Sequence, residues 1–265
     1  GDLNGDCMLS PYEACLLSGN SQEVCDCVEE GGNLDTCLDE ACLQSIATTF
    51  VESLSIAQKA WWEDNENDSE KTDIENYIVD NGCDDESKQF TVEIIDISII
   101  LDIDAVNVWD EYDIFVNQMS ISERAIFEDM LPNRKLWYAC AAKKASVKAI
   151  ELYPNSLLNG KGDAFRHALW NGLTSLLIGS QLAEQLTTAH ENKPPQPPNF
   201  PFEDKENEMD LFNNEIGRQT ASYSSLFTIT DNIRIKLNGG FLRYLNSLDL
   251  NSRATYNSIL IPTNQ

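Results

Sequence analysis

Basic side chains are scarce in this chain, most of all in its first half. Its 265 residues hold 18 Lys and Arg against 44 Asp and Glu, a formal net charge of −26 at pH 7. Before residue 120 the only basic residues are Lys59, Lys71 and Lys88, and there is no arginine. Such a surface repels nucleic-acid phosphates and anionic lipid head groups, so neither is an expected partner. Histidine is rarer still, with His167 and His190 the only two. No apolar run reaches the roughly 20 residues of a membrane-spanning helix, and no secretory leader pattern is present. There is no HExxH motif and no nucleophile elbow. A hydrophobic fraction of 42% and nine prolines are ordinary for a globular protein. The length suits one large domain, or one domain with a small appendage.

Cysteine is unevenly placed. Of eight, six fall in the first 42 residues: Cys7, Cys15, Cys25, Cys27, Cys37 and Cys42. That density points to disulfides and an oxidising compartment. Zinc is the competing reading, but the segment has no His, and Cys25-x-Cys27 is too tightly spaced for a zinc knuckle. Cys83 and Cys140 are left to pair with each other or stay free. The expected location is extracytoplasmic: secreted, periplasmic or surface-anchored, with a removed signal or lipid anchor ahead of Gly1 compatible with it. Residues 2–13, DLNGDCMLSPYE, resemble EF-hand and dockerin-type calcium loops. Asp2, Asn4, Asp6, Ser10 and Glu13 fall at the oxygen-ligand spacings of that loop, with Met8 offering its carbonyl. Cys7 stands where the loop wants Gly. The alternative is an acidic turn with Ser10 as N-cap and Pro11 at the first helical position.

The rest predicts an all-α protein, with residues 1–43 a disulfide-stapled cysteine-rich region and 44–265 a helical domain. Helical spacing predicts a helix from Leu43 to Trp62 and a short one over Asp73–Val79. Residues 90–104, FTVEIIDISIILDID, are rich in β-branched residues, but a lone strand would have no partner, so a buried helix is expected. Ser120-x-x-Glu123 is a capping box. Residues 134–152 and 161–178 form amphipathic helices, followed by helices over 180–191 and 204–221. The segment 224–240 reads as a strand pair or a helix stopped by Gly239-Gly240. The terminus reads as one amphipathic turn and an extended tail.

Polar residues recur on these later helices. Asp163, His167 and Asn171 step along one face. Asp210 and Asn214 do the same on a later helix, with Asn213 adjacent and Arg218 a further turn on. His190 and Glu191 end the helix between. Three helices could bring these groups into one bundle interior, and the polar motif spans 161–218.

The strings NGKGDAFRHALWN, AHE, MDLFNNEIGR and LIPTNQ, in that order, resemble an uncharacterised bacterial domain family. That family occurs in secreted or lipid-anchored proteins of Bacteroidetes-like bacteria and at the ends of Rhs-type polymorphic toxins. The resemblance covers roughly residues 120–265 and implies an all-helical, extracytoplasmic domain of no established activity. Phe212 stands where the family usually has His.

Three chemistries fit these residues. In a metal-dependent hydrolase, Asp163, His167, His190 and Asp210 would hold zinc or a similar divalent ion. Glu191 would take a proton from water, and Arg166, Asn171, Asn213, Asn214 and Arg218 would bind substrate. In a metal-free hydrolase, His167 or His190 would pair with a carboxylate, Glu191 or Asp210. In a non-enzymatic binding or interaction module, the polar cluster would be a structural hydrogen-bond network.

Overall fold

Side-chain caps set the first helices. The computed structural model describes residues 15, 20–65, 69–105, 108, 112–192 and 202–265. Ser21 accepts from the Val24 N–H ahead of α1 (Gln22–Glu29). Asn33 accepts from the Asp35 and Thr36 N–H groups ahead of α2 (Leu34–Ser45). Disulfides Cys15–Cys25 and Cys27–Cys37 staple this segment. Cys15, Cys25 and Cys37 surround Val24 in a small buried cluster. Covalent links thus replace a core that so short a segment cannot build. Helix α2 widens into a π-turn at Ile46–Phe50 and resumes over Val51–Ser53. Next come α3 (Ile56–Asp64), opened by a Ser55/Gln58 capping box, and α4 (Ser69–Asp80). Cys42 bonds Cys83, so the disulfide-linked segment extends past α4, and Cys140 remains a buried thiol. Cys83 therefore does not pair with Cys140. Cys7 and the candidate calcium ligands Asp2, Asn4, Asp6, Met8, Ser10 and Glu13 lie outside the described residues.

The β-branched run is helical, in α5 (Asp85–Leu101). Asp84 Oδ1 caps its start, accepting from the Ser87 N–H at 2.7 Å. Ile94, Ile95, Ile97 and Leu101 are buried. Burial therefore outweighs the modest β preference of these residues. The chain divides into two compact units, Gly1–Asp96 and Ile97–Gln265.

The second unit holds α6 (Tyr112–Asn117), α7 (Ile121–Glu128) and α8 (Pro132–Leu152). The Ser120/Glu123 capping box is present, and Pro132 opens α8. The centre is α9 (Lys161–Ile178), most of whose residues are buried. It packs against α8 and against α10 (Ser180–Glu191), α11 (Glu203–Ala221) and α12 (Ile229–Asn238). Gly179, at φ +96°, makes the turn between α9 and α10 without a Cβ penalty. Among the described residues no helix is long and apolar enough to cross a membrane.

The C-terminal segment departs from the expected tail. β1 (Arg243–Leu245) pairs antiparallel with β2 (Leu260–Pro262), with Tyr244 opposite Ile261. Period-2 patterning over three residues is too short to announce a strand. The reason for β1 lies on α11. Asn213 Oδ1 accepts from the Arg243 N–H at 3.0 Å, and Asn213 Nδ2 donates to the Arg243 carbonyl at 2.8 Å. One buried side-chain amide thus stands in for a neighbouring strand.

Helices α9 and α11 approach closely at Gly217. A Cβ there would lie 2.1 Å from the Ala168 carbonyl oxygen. Gly217→Ala should therefore force the helices apart and cost about 1–3 kcal/mol. A lowered urea midpoint would report it; an unchanged midpoint would contradict this packing.

Candidate functional site

Each of three helices carries a polar line at i,i+4 spacing, and the lines meet in layers. Asn171 and Asn214 pair deepest, with Asn171 Nδ2 donating to Asn214 Oδ1 at 2.6 Å. Asn171 Oδ1 accepts from the Thr187 hydroxyl at 2.7 Å and from Arg218 Nη1 at 3.0 Å. Arg218 also bonds Glu215 at 2.6 Å. Asn214 Nδ2 reaches Glu191 Oε1 at 3.3 Å, which leads to the layer above. Asn213 faces the other way, onto β1.

His167 is the centre of that upper layer. Its Nε2 stands 3.4 Å from Asp163 Oδ1 and 3.5 Å from Asp210 Oδ1. Its Nδ1 has no aligned hydrogen-bond partner and faces Glu191 Oε1 at 3.4 Å. Asp163 is fixed from below by the Asn159 N–H, donating to Oδ2 at 2.6 Å. One ligand-type atom each from Asp163, His167 and Asp210 lies within 4.8 Å of the others. Arg166 Nη2 contacts Asp163 Oδ1 at 2.5 Å, and its side chain is 37% exposed.

The charges explain the titration. Three carboxylates face one guanidinium and one imidazole. Burial by itself would lower the His167 pKa, but Asp210, Asp163 and Glu191 outweigh it and push the ring up to about 10. Burial likewise pushes Asp163 up, but His167 and Arg166 prevail and hold it below the usual carboxylate range. Asp210 is raised well above that range, by burial first and then by Asp163 and Glu191. Arg166 Nη2 lies 3.1 Å from His167 Nε2, a contact that suits only a neutral ring. Against three carboxylates the charged ring prevails, and the guanidinium then serves Asp163 alone.

His190 sits apart from this His/Asp/Asp group. Its Nδ1 bonds Glu123 Oε2 at 2.8 Å, and its ring meets the Trp170 ring edge-on at 5.0 Å. Glu123 Oε1 accepts from the buried Tyr138 hydroxyl at 2.8 Å. Ser120, which caps α7, also donates to the Ala189 carbonyl at 2.6 Å. Thus the capping box that starts α7 also orients the histidine ending α10. Both imidazoles nonetheless line one cavity of about 450 Å³, together with Asp163, Arg166, Glu191 and Asp210. Glu206 and Arg253 line it as well, paired at 2.9 Å. Sequence reasoning missed Glu123 in this role, along with Asn159, Thr187, Glu206 and Arg253. The capping-box spacing marked Glu123 as a helix start and carried no signal of its contact with His190.

A profile for a domain of unknown function (DUF6973) matches residues 131–236. The match runs from the start of α8 into α12 and contains every polar residue of the three lines. No curated protein and no solved structure matches this chain.

In the metal-free protein the His167 ring should stay doubly protonated through neutral pH. A folded pKa near 10 against an ordinary value of 6.5 means its stabilising contribution is complete below pH 6.5 and lost as pH rises through about 10. Ring-nitrogen NMR shifts across pH 5–11 check this. A midpoint near 6.5 would contradict the carboxylate enclosure.

Proposed function

We propose that Asp163, His167 and Asp210 hold a divalent cation and that the protein is a metal-dependent hydrolase. The carrying observation is the pair of separations from His167 Nε2, 3.4 and 3.5 Å. Ligands about 2.1 Å from a tetrahedral ion stand about 3.4 Å apart. The donor set, one imidazole and two carboxylates with an open position, suits zinc or a similar ion. Charge supports the same reading. Asp163, Asp210 and Glu191 exceed Arg166 by two negative charges, the amount one divalent ion supplies. Glu191 has the place of the carboxylate that orients a metal-ligating histidine: a proton on Nδ1 facing Glu191 leaves the Nε2 lone pair for the ion.

A bound ion would acidify a coordinated water toward pKa ~7. The chain's own residues then complete the chemistry. A proton on His190 Nδ1, donated to Glu123, leaves Nε2 as a proton acceptor in the cavity wall. Arg166, partly exposed, binds the carbonyl or anionic oxygen of the substrate. Three disulfides support an extracytoplasmic setting, where such bonds persist. The surface-anchored or toxin-terminal setting implied by the resemblance belongs to the same proposal.

A second reading rests on Arg166 itself. Its Nη2 already contacts Asp163 Oδ1 and stands near His167 Nε2, so a guanidinium could be the resident cation of a structural or ligand-binding network. Metal titration of the full chain separates the two. The hydrolase reading predicts one zinc-class ion per chain, lost in His167→Ala and Asp210→Asn and weakened about 10–100-fold in Glu191→Gln. The network reading predicts no ion bound in wild type and only lowered melting temperatures in these variants.

A further inference from the structure

A second cavity, of about 240 Å³, adjoins the charged one, and Arg166 and His190 line both. Its remaining wall is of a different kind. Phe115 from α6, Ala139 and Ala142 from α8 and the Trp170 ring from α9 give it an apolar stretch, and Gln118, Lys143 and Ser146 line the rest. Trp170 is buried, and its Nε1–H has no hydrogen-bond partner among the described residues. A buried donor left unpaired costs free energy, and the Trp170 ring forms part of the cavity wall. Tyr138 and His190 pack on the same ring at 5.3 and 5.0 Å, so the indole is held in place rather than free to find water.

We infer that this cavity is the acyl subsite of the enzyme. It takes the medium-length apolar arm of a carboxylic ester, whose carbonyl end lies beside Arg166 where the two cavities meet. As a substrate subsite this rests on the hydrolase reading. The volume has room for about eight groups the size of a water molecule. An acyl chain of about eight carbons fills it, whereas an acetyl group leaves it nearly empty. Hydrolysis then breaks the acyl C–O bond. The water oxygen goes to the acyl carbon, and its proton passes by way of His190 to the departing alcohol.

Binding of free fatty acids to the metal-free full chain tests the subsite apart from the chemistry. Butanoate, hexanoate, octanoate and dodecanoate would be titrated by calorimetry. Affinity should rise about fourfold per added methylene, then level off near eight carbons. Ala142→Leu, which fills the cavity, should erase this chain-length dependence. Arg166→Gln should weaken every acid by a similar factor, because it removes a contact to the carboxylate end. A flat series in wild type, which needs no variant to fold, would overturn the subsite. So would a series that persists in Ala142→Leu. A chain-length series in a protein that binds no metal would leave the acyl pocket standing and remove only the hydrolase reading.

Discussion

The structure depends on one buried imbalance: three carboxylates around a single imidazole, with one partly exposed guanidinium to answer them. Charges so placed are costly unless a cation meets them. In the protein alone, the enclosure pushes the His167 ring up to about 10 and the Asp210 carboxyl well above the usual carboxylate range. The surrounding structure is arranged to hold the imbalance in place. The Asn159 N–H and Arg166 fix Asp163, Asn214 reaches Glu191, and the deeper Asn171–Thr187–Arg218 layer fixes the three helices in register. Buried hydrogen bonds that link three helices in this way specify one arrangement of them. The same network therefore serves both the fold and any chemistry.

The close approach at Gly217 belongs to the same design. It lets α11 lie against α9 at Ala168, one residue from His167. Asp210 and Asn214, on turns of α11 before Gly217, are thereby brought to the His167 layer. The two cavities then meet at Arg166 and His190, the side chains that face both a charged wall and an apolar one.

Much of this was legible in the sequence. The i,i+4 steps Asp163–His167–Asn171 and Asp210–Asn214 announced helix faces, and their polar character on otherwise apolar helices announced a shared interior. The capping box at Ser120 marked a helix start. What stayed hidden is long-range. Glu123 read as a cap, and nothing local shows that its carboxylate also reaches His190 and Tyr138. Asn213 read as a site residue, yet its amide completes β1, a strand too short for patterning to reveal. Cys83 could not be assigned to Cys42 because spacing does not determine pairing. The β-branched stretch in α5 was decided by burial, which outweighs a propensity difference of a few tenths of a kcal/mol per residue.

The most direct test is anomalous diffraction from zinc-loaded crystals of the full chain. The account predicts one strong peak about 2.0–2.2 Å from His167 Nε2 and from a carboxylate oxygen of each of Asp163 and Asp210, with Arg166 turned away. A crystal with zinc only on exposed carboxylates, and with the Arg166 guanidinium still against Asp163, would contradict it.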